Sequence, residues 1–509
     1  MNLRIGIDNL KSGWIIILKQ IGLEFSRVSL SSRISPEDFS VIIVTARHNS
    51  DEINILNEYL KNDGAVLYSD NAIIDGISYK TKKVTSLYAK DHSPFSNIGF
   101  VDIFSTIKIP NSNELIQVDQ GLMVTSLKKG NNLILPFNIN ESILNTRSRR
   151  KKFYANRKEL PSEIVSEVSK GKLRKLVEKA LEYLYHKRDL PFVHLWHQPN
   201  IDKNLFIFRL DTDFCSKEDA VEMYRICRNN NISATWFMDT DSDDRLKNYE
   251  SMIDQEKAIH CDKHMVYDSY EDNFNNLFQA DKKLKKYGIS ATGFAAPFGD
   301  WNTTLDKALQ KMKLKYSSEF TLDYDDLPFF PNYEDKFSNV LQIPIHPISL
   351  GRLRRSHFSE NEMFKYYLEI INEKLVLGEP VIIYHHPHHR HYEVFNKIFQ
   401  FINSKGFGNM NLQEFSNWWI ERNRLEPEFN YTDNKIYTKY DSQNVFVKIS
   451  TKDGYAIIKK GEIQIDEINF KQQAKVELKS DLRRIRKFHW RDILYDNESR
   501  KSRRYFLKD

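Results

Sequence analysis

Apolar and polar positions change their period several times along the first part of the chain. Three short apolar runs are typical of buried strands: 3–7, 39–46 and 65–68. Two stretches between them place apolar side chains at helical spacing: 13–21 and 53–60. Because strands and helices take turns, we predict a parallel sheet covered by helices, which is a doubly wound α/β domain over residues 1–145.

The middle of the chain repeats this order. Five apolar runs are candidate strands: 206–210, 234–238, 293–296, 341–345 and 380–384. Helical patterns separate them, which predicts a (β/α) barrel over residues 201–425 with its chemistry at the carboxyl ends of the strands. After Pro427, short alternating segments and the turn signal Asp453-Gly454 predict a small β domain over 426–509. The fold class is thus α/β and multidomain.

Two basic stretches lie outside these patterns. Residues 147–158 read RSRRKKFYANRK, and an amphipathic stretch follows them. We interpret 146–200 as a solvated basic linker and a connecting helix, with a phosphate-binding surface as the alternative. The tail from Asp481 is basic and aromatic. We interpret it as a solvated terminal element with packed aromatic rings, while contact with phosphates or an anionic membrane face stays open.

Composition limits the classes of function. The 509 residues include 40% hydrophobic side chains and carry a formal charge of +6, which indicates a globular protein and gives no sign of nucleic-acid binding. The three cysteines form neither a CxxC pair nor a disulfide framework. The apolar runs fall short of the ~18 residues of a membrane span, and the first residues lack the pattern of a signal peptide. We therefore expect a cytoplasmic protein, and its oligomeric state is open.

Four stretches carry candidate chemistry, each at the end of an apolar run. They are RLDTDF with Asp211 and Asp213, HCDKH with His260 and His264, GFAAPFGDW at 293–301, and PVIIYHHPHHRH with His385 and His386. If the second stretch forms a helical turn, its spacing of four puts both imidazoles on one side. Two histidines and one aspartate form the ligand set of an open Zn²⁺ site. A second carboxylate beside them can take the proton of a water molecule.

In this order the motifs resemble the polysaccharide deacetylase family, the NodB-homology domains of carbohydrate esterase family four, over about residues 205–419. The Asp pair is similar to the family's first motif, HCDKH to the second, AAPFG to the third and the strand that ends in His to the last. The segment NISATWFMDT at 231–240 is similar to its second strand. The resemblance implies a distorted (β/α) barrel of the NodB type and metal-dependent removal of an acetyl group from an N-acetylated sugar.

The resemblance also implies roles for single residues. It gives three ligands to Zn²⁺, or to another divalent metal such as Co²⁺: Asp213, His260 and His264. Asp211 is then the general base, and either His386 or His385 protonates the leaving amine. The two histidines point to opposite faces of a continuing strand, so only one of them can enter the site. Three more residues are candidates for contact with the oxyanion, through a backbone N–H, or with the substrate: Phe298, Pro297 and Trp301.

The chain departs from the family pattern at two positions. Ala295 stands where the family usually has an Arg that steadies the catalytic Asp. Arg209 lies two residues before Asp211 and on the same face of the strand, so we hypothesise that it supplies this charge instead. The alternative is a sugar-binding barrel that has lost its activity. Cys261 stands at the place of a Ser or Thr, and its thiolate is an alternative metal ligand.

The resemblance leaves the substrate open within a class. We expect a deacetylase that acts on a glycan or a glycan precursor, soluble or linked to lipid phosphate. The alternatives are a hydrolase of another linear or cyclic amide and a non-catalytic carbohydrate-binding protein. The N-terminal domain resembles glutamine-amidotransferase-like flavodoxin folds. The first 214 residues of the chain contain no cysteine. This excludes amidotransferase chemistry for the N-terminal domain and leaves a scaffold or ligand-binding role.

Overall fold

A computed structural model describes residues 1–74, 78–89, 95, 98–111, 125–126, 131–157, 159–472 and 474. The basic tail predicted from Asp481 lies outside the described residues. Within them, no helix combines the length and the apolar character needed to cross a lipid bilayer.

The first part of the chain forms a mainly parallel sheet. Its described strands are β1 (Ile5–Ile7), β2 (Phe25–Arg27), β3 (Val41–Val44), β4 (Val66–Tyr68), β5 (Ser78–Ala89), β6 (Gly99–Asn111), β7 (Thr125–Ser126) and β8 (Asn132–Ile134). Its helices are α1 (Ser12–Ile21), α2 (Ser50–Lys61) and α3 (Ile139–Leu144). The sheet order is β2-β1-β3-β4-β8-β7, in which only β7 runs antiparallel, and β5 and β6 form a separate hairpin. The five parallel strands, in the order β2-β1-β3-β4-β8, thus follow the order of flavodoxin-like sheets.

The segment predicted as a solvated linker is folded instead. It forms β9 (Ser148–Lys152), β10 (Ser162–Ser166), α4 (Lys170–Lys187) and β11 (Phe192–Leu195), and β9 and β10 pair as an antiparallel hairpin. Lys151 is buried and its Nζ lies 2.8 Å from Asp102 Oδ2. The helix α4 is also largely buried, where Arg174 Nε donates to Asp326 Oδ1 at 2.7 Å. The predicted connecting helix is thus present as α4, whereas the basic run is not a plain linker, because distant carboxylates neutralise some of these cations, which a local charge run does not show.

The middle of the chain forms a second, larger parallel sheet with helices around it. Its strands are β12 (Leu205–Asp211), β13 (Thr235–Asp239), β14 (Glu256–Cys261), β15 (Gly293–Phe294), β16 (Tyr316–Ser317), β19 (Leu341–Gln342), β20 (Val381–His385) and β21 (Gly408–Asn409), while β17 (Asn332–Tyr333) and β18 (Lys336–Phe337) form a separate antiparallel hairpin. Its helices are α5 (Lys217–Asn229), α6 (Asp243–Lys247), α7 (Tyr270–Lys286), α8 (Thr303–Lys311), α9 (Leu350–Arg355), α10 (Glu360–Leu377), α11 (Tyr392–Ser404) and α12 (Leu412–Arg424). The order is β19-β16-β15-β14-β13-β12-β20, with β21 beside β12. The sheet curls into a half-barrel, so the predicted barrel class is confirmed.

The five strands predicted in this part are present, some of them shorter than predicted. The segment around His260 differs, because it belongs to β14 and is not a helical turn. β14 pairs with β13 on one side and with β15 on the other. Its alternation sends His260 and Cys261 to opposite faces of the sheet.

Capping residues fix where the helices of this barrel begin and end. Ser216 accepts a hydrogen bond at 3.1 Å from the backbone N–H of Asp219, at the start of α5. The helix α10 ends at Gly378, whose φ of 65° lies in the left-handed region, and a Cβ there would lie 2.2 Å from the ring of Trp196. Helix lengths set in this way return the chain to the next strand in register.

The last described part forms short antiparallel strands. They are β22 (Glu428–Thr432), β23 (Lys435–Lys439), β24 (Val447–Thr451), β25 (Gly454–Ile458) and β26 (Glu462–Gln464). They form two small sheets, β22-β23-β26 and β11-β24-β25, so that β11 joins strands from far along the chain. One hydrophobic core extends from Leu3 to Ile449. The domain boundaries proposed above stay a prediction.

Candidate metal centre

The candidate site lies where strands of the half-barrel end. β12 ends at Asp211, and Asp213 follows two residues later. His260 lies one residue before the end of β14, and His386 directly follows β20. Because parallel strands end at one edge of a sheet, these side chains reach a common cleft with a volume of about 390 Å³, and His264 from the loop after β14 joins them.

Asp213, His260 and His264 converge in this cleft. Asp213 Oδ1 lies 2.7 Å from His260 Nε2, and its Oδ2 lies 2.9 Å from His264 Nε2. One potential ligand atom from each residue lies within 4.8 Å of the others. The ring of His260 is oriented from behind, because its Nδ1 donates to the carbonyl oxygen of Ala295 at 2.6 Å. This contact leaves His260 Nε2 facing the cleft, as in a metal ligand held by an outer partner.

The donor atoms fit a divalent cation. Asp213 Oδ1 and His260 Nε2 are both buried and lie 2.7 Å apart, but neither makes a hydrogen bond of good geometry, with the other atom or elsewhere in the described part of the chain. Buried polar atoms normally have partners, and two such atoms aimed at one point suit a cation that contacts both of them. Two imidazoles and one carboxylate are suitable ligands for Zn²⁺ or Co²⁺ and leave coordination positions open.

The charges in the triad lead to the same requirement. Burial alone would raise the pKa of Asp213, but the neighbouring imidazoles outweigh it and hold that pKa well below its usual range. Burial would lower the pKa of His260, but Asp213 and then Asp211 outweigh it and raise the pKa to about 9. The triad therefore requires a positive charge between Asp213 and His260, which a proton on the imidazole or a metal cation supplies.

Arg209 holds Asp211 with two hydrogen bonds. Its Nε donates to Asp211 Oδ1 and its Nη2 to Asp211 Oδ2, both at 2.7 Å. Its Nη1 donates to the carbonyl oxygen of Ser318 at 2.5 Å. Arg209 is fully buried, and at Ala295 there is only a buried methyl group. This bidentate pair is the geometry that the replacement hypothesis requires.

The structure separates the two adjacent histidines that the sequence left open. His386 lines the cleft, where its Nε2 lies 3.6 Å from Asp213 Oδ2 and 3.9 Å from Asp211 Oδ2. His385 is fully buried on the opposite face of β20, with its ring centroid 4.6 Å from that of Phe395. His385 therefore does not reach the site, as the alternation of a strand requires.

The segment 293–301 contributes one of its three candidate residues to the cleft. Phe298 lines the cleft, with its ring centroid 4.7 Å from that of His264 and a left-handed φ of 60°. Such a backbone conformation is costly for a residue with a side chain and is often found at functional sites. Pro297 and Trp301 are not among the described residues that line the cleft. Trp301 packs instead against Tyr333, with ring centroids 6.1 Å apart.

Cys261 lies apart from the triad. Its Sγ donates weakly to Asp239 Oδ1 at 4.0 Å, and burial first, then nearby carboxylates, raise the pKa of the thiol well above its usual range. It lies outside the group of residues whose ligand atoms converge, so the structure gives no support to the alternative of a thiolate ligand at this position.

Sequence reasoning missed several residues of the cleft. Phe214, directly after Asp213, lines the cleft with 71% of its surface exposed. Arg352 Nε and Nη2 donate to Glu163 on β10, at 2.5 and 2.8 Å, and both residues line the cleft. An aromatic residue next to a candidate ligand was a usable signal for Phe214. No local signal joins Glu163 to Arg352, because they lie 189 positions apart.

By sequence, no protein-family model and no curated protein matches the chain. Solved structures are similar to part of it. A protein described as a polysaccharide deacetylase from Mycobacterium smegmatis is 13% identical, with a TM-score of 0.37 and coverage of 45% of this chain and 94% of that chain. A pseudoenzyme of carbohydrate esterase family four from Bacillus anthracis is 14% identical, with a TM-score of 0.32 and coverage of 43% and 66%.

A third similar structure is a family four acetyl xylan esterase from Clostridium thermocellum in complex with a cobalt ion. It is 14% identical, with a TM-score of 0.31 and coverage of 42% of this chain and 91% of that chain. Family four deacetylases and esterases are thus among the structures that this chain resembles, as its motifs predicted. The resemblance is low in identity and extends over less than half of the chain.

Proposed function

We propose that the protein is a metal-dependent amide hydrolase that removes acetyl groups from N-acetylated sugars. One observation carries this proposal. A candidate metal triad and a second carboxylate, Asp211, share one cleft, and a buried guanidinium orients that carboxylate. A binding protein needs no general base beside its metal, whereas the hydrolysis of an amide needs a Lewis acid, a base and an acid together.

The triad would hold the cation through Asp213, His260 and His264. When bound, the cation supplies Lewis-acid chemistry, which polarises the amide carbonyl and lowers the pKa of water. Asp211 then takes a proton from the water molecule that attacks the carbonyl carbon. Arg209 keeps both oxygens of Asp211 at fixed positions, so that a single acceptor geometry is presented to that water.

His386 would complete the proton transfer. Burial lowers its pKa to about 4, and the carboxylates of Asp213 and Asp211 oppose this effect without cancelling it. His386 is therefore neutral before the reaction and gives up an acquired proton readily. We propose that it receives the proton from Asp211 and delivers it to the nitrogen atom of the leaving amine, so that the C–N bond breaks as the N–H bond forms.

Two further groups suit a sugar amide. The backbone N–H of Phe298 would donate to the oxygen that becomes negative during attack. The exposed rings of Phe298 and Phe214, with 40% and 71% of their surfaces accessible, offer apolar faces for a sugar ring at the cleft.

Metal removal and reloading test this proposal. We expect protein stripped with a chelator to release no acetate from N-acetylated sugars, and protein reloaded with Zn²⁺ or Co²⁺ to release it. An Asp213→Ala variant should neither bind the metal nor recover activity, because it lacks the central ligand. Equal acetate release from stripped and reloaded protein would contradict the metal dependence.

A further inference from the structure

Guanidinium groups from two distant parts of the chain line the cleft beside the metal triad. Arg150 comes from β9, and Arg352 and Arg355 come from α9. Arg150 is half-buried, and its Nη1 donates to Ser162 Oγ at 2.9 Å. Arg355 is exposed at the cleft. A neutral sugar amide needs no such concentration of positive charge.

The elements that carry these arginines are joined by an ion pair. Arg352 on α9 binds both carboxylate oxygens of Glu163 on β10, and Glu163 is only 5% exposed. In the hairpin, Arg150 stands opposite Ile164, the residue after Glu163. Arg355 lies one helical turn after Arg352. The bidentate pair therefore holds the elements of Arg150 and Arg355 on a shared wall of the cleft.

The charge balance of the cleft is positive once a divalent cation is bound. Four carboxylates line it: Asp211, Asp213, Glu163 and Asp300. The three lining arginines and the buried Arg209 match them in number, so the cation adds a net positive charge.

We propose that this wall binds an anionic oxygen group of the substrate, a phosphate or a carboxylate carried by the N-acetylated sugar. The inference rests on the proposed function and narrows its substrate class. Guanidinium groups bind both anions through paired N–H donors, and the two arginines Arg150 and Arg355 bring these donors from separate elements. The basic run at 147–158, for which a phosphate-binding surface was one interpretation, supplies Arg150.

Binding to a non-hydrolysing protein tests this directly. The Zn²⁺-loaded Asp211→Asn variant is titrated by calorimetry with four probes: N-acetylglucosamine, its 1-phosphate, its 6-phosphate and N-acetylmuramic acid. We expect at least one anionic probe to bind about tenfold or more tightly than the neutral sugar, and this preference to weaken with salt. The two phosphates and the carboxylate distinguish which anion is used.

Variants of the arginines decide whether this wall is responsible. In the Asp211→Asn background, we expect Arg355→Gln and Arg150→Gln each to weaken binding of the anionic probe by about tenfold. Arg354→Gln is the matched control, because Arg354 is exposed on the same helix and does not line the cleft. Equal binding of neutral and anionic sugars, no binding of the anionic ones, or equal effects of Arg355→Gln and Arg354→Gln would each overturn the inference.

The two proposals fail separately. Acetate release by the wild-type protein without any preference for anionic sugars removes this inference and leaves the proposed function intact. Arginine-dependent binding of an anionic sugar without acetate release removes the proposed function and leaves an anion site.

Discussion

Asp211 and Arg209 show how one residue of the cleft depends on a second residue of the same strand. Both are at most 3% exposed, and their bidentate contact fixes the carboxylate of Asp211 where little water reaches it. Ala295 provides no charge at the position usual for the family. A buried carboxylate without a partner would be costly, so Arg209 both stabilises the site and orients the proposed base.

We predict that Arg209→Met lowers the turnover of acetate release by roughly 10- to 100-fold, because Asp211 loses two charge-assisted hydrogen bonds. The effect should appear mainly in kcat, since Arg209 is buried behind Asp211 and does not line the cleft. Arg209→Lys keeps the positive charge but loses the bidentate geometry of the guanidinium, so its turnover should lie between those of the wild type and Arg209→Met. Steady-state kinetics on folded protein, checked by circular dichroism, measures this. Unchanged turnover in folded Arg209→Met protein would sink the replacement hypothesis.

The neighbouring histidines offer a matched pair of variants. We predict that His386→Gln lowers kcat by about 100-fold, because the proposed proton carrier to the leaving amine is lost. His385→Phe should leave kcat within a few-fold of wild type, because its ring lies on the opposite face and packs against Phe395. Acetate release by both variants is compared at equal metal content. Equal losses of kcat in the two variants would contradict the placement of His386 in the cleft and of His385 on the opposite face.

At the scale of elements, the buried helix α4 joins parts of the chain that are far apart in sequence. Arg174 is held by Asp326 and Glu379, both buried. Glu182 accepts from the Ser450 hydroxyl on β24 and lies 2.5 Å from Lys179 Nζ. Charges in such places stabilise the fold only while each keeps its partner, which makes the helix sensitive to pH.

We predict an acid-dependent contribution from Glu182. Burial opposes its ionisation, but Lys179 and Lys448 outweigh this effect and lower its pKa to about 2, against about 4.3 in an unfolded chain. The stability it supplies is therefore fully present above about pH 4.3 and is lost as pH falls toward about 2. Glu182→Gln should lower the free energy of unfolding at pH 7 by about 3 kcal/mol and flatten this part of the pH profile.

Urea unfolding from pH 7 down to the lowest pH at which the protein stays folded measures this profile. Glu218→Gln on α5 is the control, because Glu218 is exposed. A Glu182→Gln profile parallel to that of the wild type would contradict the assignment.

At the scale of the whole molecule, the parts predicted as separate domains share contacts as well as a core. Arg422 of α12 donates to the backbone carbonyl oxygens of Ile21 and Leu195 at 3.1 and 2.9 Å. Leu3 donates to the carbonyl of Phe429 at 2.8 Å. The hairpin of β9 and β10 also supplies one wall of the cleft. The proposed specificity of the barrel therefore depends on residues outside it.

Features that depend on neighbouring residues could be predicted from the sequence, and features that depend on distant residues could not. The strand before Asp211 was predictable from its apolar run. The alternation of side chains along a strand correctly placed Arg209 on the same face as Asp211. The strand around His260 was hidden, because the spacing to His264 also suits a helical turn. The pair of Glu163 and Arg352 could not be predicted, because only the folded chain brings together residues from two distant segments.

The proposed hydrolase activity, with Asp211 as its base, is tested most directly by acetate release by metal-loaded Asp211→Asn protein beside the wild type. The substrates are a panel of neutral and anionic N-acetylated sugars and small amides. The metal content of both proteins is determined in the same samples. We predict release by the wild type and none by the variant, with equal metal bound, because Asp211 acts as base and not as ligand. No release by folded, metal-loaded wild type on any of these substrates, or equal release by both proteins, would contradict it.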